Sequence, residues 1–377
     1  MKVNMNGNAM NFINADSGAG APRLRDAAAG AAGSGERERV AMAPHQSPMN
    51  THTPTRMPML MPMHQITLGQ TGITTSALAL GCACLGSALT PMGRSECVAL
   101  IREAYALGIR HFDTAGIYGQ GDSERFLGEA LAGHRDAVCL SSKAGQRLGM
   151  GQALLAPLKA PIRWLAARRG GLHRSVASQR AAPMPRCFEP DFIERSLRAS
   201  LRRLRTDHLD VFYLHSPPAG TLRSARLMAR IEGLRKQGLF RSFGVSCDSA
   251  DLVWEAAAHE AVAVVQFGFD GSTRAQAQLA ELARCGKAAV LRGVMAQAPA
   301  GTGGHSGAGN KPGNALLGRT VNEALQRPAF GGLIVGTTNT AHLRENVAAF
   351  GRAAALAGVS GIGDIGGIGD IGGMGAK

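Results

Sequence analysis

The sequence is poor in aromatic residues and has no long apolar run. Phenylalanine, tryptophan and tyrosine together make up 5% of its 377 residues, and only three of these are tyrosines. The interior must therefore pack mainly through leucine, valine, isoleucine and alanine. No apolar stretch approaches the ~20 residues that cross a bilayer. The first residues contain no continuous apolar block of a secretory signal, so we expect a cytoplasmic protein.

Paired cysteines are also missing. The seven cysteines are scattered along the chain, and no two form a Cys-x-x-Cys motif. This spacing favours neither a disulfide framework nor a zinc site. We expect small core residues in a reducing compartment, and no metal.

Acidic residues are absent between Arg147 and Arg186, although the segment carries eight cations. With a formal net charge of +14 for the chain, this invites a nucleic-acid interpretation. No recognition motif accompanies the charge, so we expect no nucleic-acid partner and favour a loop beside an anionic cofactor or substrate. Trp164 is the one aromatic residue there and a candidate substrate contact. An extended disordered excursion is the alternative.

Three regions of the sequence differ in composition and periodicity. Residues 1–62 are rich in small and polar residues without helical or strand periodicity, which predicts a disordered leader. Residues 63–355 alternate between apolar and amphipathic segments and form the predicted domain. Residues 356–377 contain a glycine-rich repeat and are expected to be a disordered tail. Its Gly361–Gly366 motif matches Gly-x-Gly-x-x-Gly, but no strand precedes it and no helix follows, so it does not predict a dinucleotide site.

The middle region alternates strand-like runs with segments of helical period. The eight runs are Ala77–Ala83, Ile109–Thr114, Ala137–Lys143, Leu209–His215, Phe240–Ser246, Val262–Gly268, Ala288–Gly293 and Gly332–Thr337. Eight such units predict an α/β fold of the (β/α)₈ type, the TIM barrel, in a single domain. A doubly wound sheet is less favoured because no phosphate-binding glycine turn follows the first run. A preceding strand pair that turns at Gly69–Gly72 is expected to close the barrel floor.

Two residues mark predicted helix starts. Ser95 is a plausible N-cap for the helix that should end at Gly108, and Pro190 suits the first turn of a later helix.

Polar residues end several predicted strands, where barrel active sites are assembled. Asp113, Lys143 and His215 end the second, third and fourth strands, and Tyr118 lies in the glycine-rich loop beyond Asp113. Each alone could be structural: a turn cap, an exposed edge charge, a core histidine or a packing ring. The convergence of all four predicts a catalytic site.

This set suits reduction of a carbonyl by hydride. The carbonyl oxygen gains charge and needs a proton, which a tyrosine can donate. The Lys143 ammonium should favour the phenolate and lower the pKa of Tyr118, while Asp113 keeps the lysine charged and oriented. His215 can donate a hydrogen bond to the developing oxyanion.

Several ordered motifs resemble the aldo-keto reductase superfamily over about Gln65–Phe350. They are FDTAGIYGQGDSERFLGEAL, SSKAG, FYLHSP, FGVS, VVQF and IVGTTNTAHLRENV. The resemblance implies a (β/α)₈ oxidoreductase that prefers NADPH and needs neither metal nor flavin. It also implies the tetrad Asp113, Tyr118, Lys143 and His215, with Tyr118 as general acid in reduction and general base in oxidation.

The resemblance further implies a set of cofactor-binding residues. They are Ser246, Cys247, Gln266, Arg292, Gly293, Gly336, Thr337, Thr338, His342, Arg344, Glu345 and Asn346. Two positions depart from the family pattern, because Cys247 replaces an asparagine and Arg292 replaces an aromatic residue that stacks on the nicotinamide. His342 lies where many relatives have a phosphate-binding cation, with Arg344 two residues on. NADP(H) is therefore expected, and NAD(H) stays open.

The expected substrate is a small molecule with an aldehyde, ketone or sugar-type carbonyl, or the corresponding alcohol. Two alternatives remain. The first is a catalytically weak barrel that senses the cofactor and acts as a regulatory module. The second is association with nucleic acid through the basic segment and the leader.

Overall fold

The computed structural model describes residues 63–87, 92–147, 184–293 and 322–358. The predicted leader at 1–62, the tail beyond residue 358 and Trp164 lie outside these ranges.

Eight parallel strands close into a barrel. They are β3 (Leu78–Gly81), β4 (His111–Asp113), β5 (Cys139–Ala144), β6 (Leu209–His215), β7 (Phe240–Cys247), β8 (Val264–Gly268), β9 (Ala288–Arg292) and β10 (Phe330–Gly336). Each strand pairs with its neighbours in chain order, and β10 pairs with β3. Each of the eight predicted runs contains or overlaps one of these strands, which confirms the predicted barrel.

The strand register brings the polar strand ends together. Asp113 of β4 lies beside Ser141 of β5. His215 of β6 lies beside Ser246 of β7, and Ser246 lies beside Gln266 of β8. Because all eight strands run in one direction, these residues meet at the carboxyl end of the barrel.

Helices follow the strands and cover the barrel. The described helices are α1 (Arg94–Ala106), α2 (Asp122–Ala130), α3 (Pro190–Leu204), α4 (Ala225–Lys236), α5 (Ala250–Ala258), α6 (Thr273–Arg284) and α7 (Thr340–Leu356). In α3, Ile193, Leu197, Leu201 and Leu204 recur at helical spacing and are buried. None of the helices in the described ranges is long and apolar enough to cross a membrane.

The helix starts agree with the sequence in one case and differ in the other. Pro190 occupies the first turn of α3, as predicted. Helix α1 instead begins at Arg94 and has Gly93 as its N-cap, so the prediction for Ser95 was wrong. The Glu96 carboxylate accepts a hydrogen bond of 2.6 Å from the Gly93 N–H, which satisfies the exposed donor without the serine.

A two-stranded hairpin closes the amino end of the barrel. Strands β1 (Gln65–Thr67) and β2 (Thr74–Ser76) are antiparallel. Leu68 and Ile73, between them, are 0% and 1% exposed and belong to one apolar cluster with barrel residues that include Val211 and Val264. Burying each side chain contributes about 1.5–3 kcal/mol of stability. The predicted barrel floor is confirmed.

None of the seven cysteines, all of which lie in the described ranges, forms a disulfide.

Candidate active site

A buried ion pair stands at the carboxyl end of the barrel. The Lys143 Nζ donates to Asp113 Oδ2 at 2.5 Å and to the Thr114 carbonyl at 2.9 Å. Both charged side chains are nearly inaccessible, at 1% and 6% exposure. A buried ammonium of this kind is tolerated because the carboxylate and the carbonyl replace its hydration.

The second carboxylate oxygen of Asp113 is also occupied. Its Oδ1 accepts from Ser141 Oγ at 3.1 Å and from Gln266 Nε2 at 2.9 Å. The amide oxygen of Gln266 in turn accepts from Ser246 Oγ at 2.8 Å. Ser141 was missed in the sequence, although it lies two residues before Lys143 and so points to the same side of β5. These bonds fix the orientation of Asp113 and therefore that of Lys143.

Tyr118 begins a 3₁₀ turn, Tyr118–Gly121, which joins β4 to α2. The turn needs glycine at 119, where φ is +55° and a Cβ would lie 2.7 Å from the backbone of Gly86. The Tyr118 ring centroid lies 5.3 Å from Lys143 Nζ. The same ring meets His215 edge to face, with centroids 5.8 Å apart and planes at 87°. The four predicted catalytic side chains therefore lie together.

Burial and the Lys143 ammonium act in opposite directions on the pKa of the Tyr118 phenol. Burial raises the pKa of Tyr118, and the Lys143 ammonium lowers it by a smaller amount, so the net direction is upward. The predicted lowering by Lys143 is therefore present but does not dominate. The phenol consequently holds its proton at neutral pH.

His215 is a neutral imidazole in this setting. Burial, followed by the positive charges of Lys143, Arg292 and Arg186, holds its pKa well below 6.5. Its Nδ1 is buried and has no hydrogen-bond partner among the described residues. A neutral imidazole can donate one hydrogen bond from its protonated nitrogen, which makes His215 a polar contact for a bound oxygen.

Arg292, at the end of β9, is tied to the loop after β7. Its Nη2 donates to the Cys247 carbonyl at 2.7 Å and to Asp248 Oδ1 at 2.6 Å. The Cys247 thiol is buried, and burial raises its pKa, so it behaves as a small apolar group. Asp248 was missed in the sequence, and its position directly after Cys247 is the signal that could have found it. The carboxylate offsets much of the Arg292 charge.

Comparison with known proteins agrees with this geometry. The model of the Aldo/keto reductase family matches residues 77–311, which is more than half of the chain. The chain belongs to the aldo/keto reductase family. It is 23% identical over 317 residues to the oxidoreductase YqkF of Bacillus subtilis, a match that covers 76% of this chain and 91% of that protein. It is 29% identical over 210 residues to the NADH-specific methylglyoxal reductase of Escherichia coli, covering 54% of this chain and 58% of the reductase.

Solved structures of aldo-keto reductases share the fold. One from Pseudomonas aeruginosa aligns with a TM-score of 0.58 at 21% identity, covering 78% of this chain and 97% of that chain. One from Klebsiella pneumoniae, in complex with NADP and acetate, aligns with a TM-score of 0.53 at 21% identity, covering 78% and 95%. At this identity the likeness establishes the barrel fold.

The segment between β10 and α7 holds the remaining predicted cofactor residues of this aldo/keto reductase. Gly336 ends β10, and Thr337 and Thr338 precede α7. The N-cap is Asn339, which was missed, and its side chain accepts from the N–H groups of Ala341 and His342. Two donors at this helix start are thus already satisfied, which leaves fewer for an anion than the sequence suggested.

The two basic side chains of α7 among the predicted cofactor residues are exposed. His342 and Arg344 are accessible, and Arg344 Nε donates to Glu103 Oε1 of α1 at 2.7 Å. Glu345 is half-buried and Asn346 is buried on the same helix. An exposed ion pair of this kind is weak, so Arg344 can exchange Glu103 for another anion at little cost.

The two ends of the basic segment, residues 147–186, lie side by side. Gln146 and Arg186 form an antiparallel bridge, and the flanking backbone bonds, Arg147 N–H to Pro185 and Cys187 N–H to Gly145, are both 2.7 Å. Residues 148–183, with Trp164, lie outside the described residues. The segment therefore leaves and rejoins the barrel a few residues after Lys143.

Proposed function

We propose that this protein transfers a hydride between a nicotinamide cofactor and the carbonyl of an aldehyde, ketone or sugar, with Tyr118 as the proton donor. The observation that carries the proposal is the position of the Tyr118 ring, whose centroid lies 5.3 Å from the Lys143 Nζ and 5.8 Å from the centroid of the His215 imidazole. Membership of the aldo/keto reductase family supports it.

Each member of the tetrad has a distinct role. Tyr118 donates its proton to the carbonyl oxygen during reduction and takes one back during oxidation. Lys143 stabilises the resulting phenolate, and Asp113 keeps Lys143 charged and in place. His215, being neutral, donates a hydrogen bond to the same oxygen without competing as an acid.

The raised pKa of Tyr118 suits its role as the proton donor in reduction. A phenol whose pKa lies above its usual value is protonated throughout the physiological range, which is the form that reduction requires. Oxidation requires the phenolate, and the nearby ammonium is the group that makes this form accessible. Reduction can therefore start from the resting enzyme near neutral pH without prior protonation of the phenol.

The residues at the carboxyl end fit a nicotinamide cofactor. Ser216 Oγ and Arg292 Nε are buried there and have no hydrogen-bond partner among the described residues, so a polar ligand group would satisfy them. Ser246, Gln266 and Arg292 would hold the nicotinamide end, and the β10–α7 segment with Arg344 would hold the phosphates. When bound, the cofactor supplies the hydride. A structural neighbour that contains NADP favours NADP(H), and a relative named as NADH-specific makes NAD(H) the competitor.

A cofactor-sensing module is the second candidate function. It is favoured by Arg292, which is fixed to Asp248 where the family resemblance implies an aromatic residue. In this alternative the cofactor binds without turnover.

The experiment that separates these functions measures binding and turnover on the same protein. Fluorescence titration with NADPH and NADH gives the two affinities, and an aldehyde, ketone and aldose panel then follows cofactor oxidation. The proposal expects binding of NADPH and turnover of at least one carbonyl class. Binding without turnover across the panel would support the sensing module, and no binding of either cofactor would contradict both.

A further inference from the structure

A cavity lies on the outside of the barrel, where α2 and α3 pack together. Its volume is about 740 Å³, and no residue of the proposed catalytic tetrad lines it. Five arginines line it, one from α1, one from α2 and three from the end of α3: Arg94, Arg125, Arg202, Arg203 and Arg205.

The acidic residues of this cavity leave a surplus of positive charge. Two carboxylates line it among the described residues, and each pairs with one arginine, Asp122 with Arg125 at 3.0 Å and Glu129 with Arg94 at 2.7 Å. Both arginines are largely exposed, so these pairs are weak and can rearrange around a stronger anion.

The three arginines of the α3 end differ in their commitments. Arg203 is bound to the fully buried Glu124, with its Nε 2.6 Å from the carboxylate. Arg202 and Arg205 are exposed and have no acidic partner within residues 63–87, 92–147, 184–293 and 322–358. Two guanidinium groups are therefore available to a ligand.

Helix electrostatics explains only part of this cluster. Arg202 and Arg203 lie in the last turn of α3 and Arg205 is its C-cap, where cations are favourable. Arg94 is the first residue of α1 and Arg125 the fourth of α2, and cations are unfavourable at helix starts. Helix electrostatics therefore does not explain why Arg94 and Arg125 lie beside the arginines at the end of α3.

The residues that line the cavity favour one kind of anion. Guanidinium groups bind phosphate through paired, charge-assisted hydrogen bonds. Among the lining residues that the structure describes, Phe126 is the one aromatic, and at 8% exposure it offers no free face for a nucleobase. The cavity thus fits a compact, multiply charged molecule better than a nucleotide chain.

We propose that this cavity binds a compact anion with two or more phosphate groups. The site is separate from the proposed catalytic centre and does not depend on the reductase activity. Arg202 and Arg205 provide its main contacts, while Arg94 and Arg125 turn toward the ligand from α1 and α2.

Calorimetric titration of the full chain with pyrophosphate at low ionic strength tests this site. We expect the Arg202→Ala/Arg205→Ala variant to bind pyrophosphate at least about tenfold more weakly than the wild type. The control variant Arg274→Ala/Arg352→Ala loses two exposed arginines elsewhere, so it matches the charge change and should bind as the wild type does. Thermal melting checks that each variant folds, and Arg202→Gln/Arg205→Gln replaces the alanine pair if it does not.

Four outcomes would overturn the proposal. These are no binding by the wild type, equal weakening in the cavity and control variants, unchanged binding in the cavity variant, and tight binding of a short DNA that pyrophosphate does not displace. Equal weakening would indicate a general charge effect. Unchanged binding would place pyrophosphate at another site, such as the cofactor-phosphate segment, and the DNA result would indicate an extended nucleic-acid surface.

Discussion

At the amino end of the barrel, the hairpin residues Leu68 and Ile73 are buried against apolar side chains. At the carboxyl end, Asp113, Lys143 and Gln266 are buried just as completely, yet all three are polar or charged. The amino end therefore buries apolar side chains, whereas the carboxyl end buries polar and charged ones.

The two kinds of burial have different consequences for stability and for function. Apolar burial at the amino end stabilises the fold directly. The ion pair at the carboxyl end gains little net stability, because desolvating both charges offsets much of their attraction. A costly polar cluster at the end where barrel active sites form is most simply explained by chemistry. If this explanation holds, substitutions at the amino end should lower stability without lowering kcat, whereas substitutions at the carboxyl end should lower kcat.

The largest effect is expected for Lys143→Met. Loss of the ammonium should lower kcat by about 10³-fold, because Lys143 is the charge that stabilises the phenolate most. It should also lower the free energy of unfolding by about 3 kcal/mol, because Asp113 stays buried without its cation. Steady-state kinetics and urea unfolding measure the two losses.

The double variant Asp113→Asn/Lys143→Met separates them. It removes both charges, so most of the lost stability should return while kcat stays low. Recovery of activity in the double variant would show that Lys143 acts through the fold and not through the phenol.

Leu68→Ala tests the amino end. Truncating this fully buried side chain should lower the free energy of unfolding by about 3 to 4 kcal/mol and leave kcat within about twofold of the wild type at a temperature where the variant is folded. The exposed Leu356, 88% accessible, is the control, and Leu356→Ala should change stability by less than about 0.5 kcal/mol. A fall in kcat that exceeds the unfolded fraction would contradict the division between the ends.

His111, between the two ends on β4, predicts a pH dependence. Burial is the main cause that lowers its pKa from 6.5 to about 4, with Asp113 and Asp210 acting against the shift. Between these values the unfolded chain binds a proton that the folded protein does not. Stability should therefore fall by about 3 kcal/mol as the pH drops from 6.5 toward 4, and His215 should add in the same direction.

Urea unfolding at a series of pH values measures this loss. In His111→Asn the slope between pH 6.5 and 4 should be shallower than in the wild type, whatever the absolute stability. His134→Asn, at an exposed position, should keep the wild-type slope. An unchanged slope in His111→Asn would show that the histidine is not held neutral.

The smallest effect concerns Arg292, which follows from the proposed cofactor site. Its charge should disfavour an oxidised nicotinamide, although Asp248 offsets most of it. Arg292→Ala should tighten NADP⁺ binding about threefold relative to NADPH, and Asp248→Asn should shift the ratio the other way. Fluorescence titrations with both forms measure the ratio. Equal changes for the two forms in both variants would exclude a charge effect.

Periodicity and strand ends were enough to predict much of this molecule. The barrel, its closing hairpin and the positions of Asp113, Lys143 and His215 follow from alternating runs whose carboxyl ends must meet. Tyr118 was recognisable because a tyrosine is rare in this chain and stands in a glycine-rich loop beside Asp113.

Contacts between distant residues could not be predicted in the same way. Glu124 accepts from Arg203 and from Ser142, both at 2.6 Å, yet Arg203 lies 79 residues away and only the packing of α2 on α3 joins them. The N-cap of α1 is Gly93, whose N–H donates to the Glu96 carboxylate, and the serine at 95 gave no sign of this bond. The pKa of Tyr118 depended on the balance between burial and a nearby charge, which composition does not reveal.

The central claim is that the Tyr118 hydroxyl donates the proton. Single-turnover oxidation of enzyme-bound NADPH by a saturating carbonyl substrate tests it most directly. Tyr213→Phe is the matched control, because the Tyr213 ring lies 5.9 Å from Lys143 Nζ and its buried hydroxyl has no hydrogen-bond partner among the described residues. We predict that Tyr118→Phe slows this step about 10³-fold with NADPH affinity unchanged, while Tyr213→Phe keeps the wild-type rate. A Tyr118→Phe variant that turns over at the wild-type rate would contradict the account.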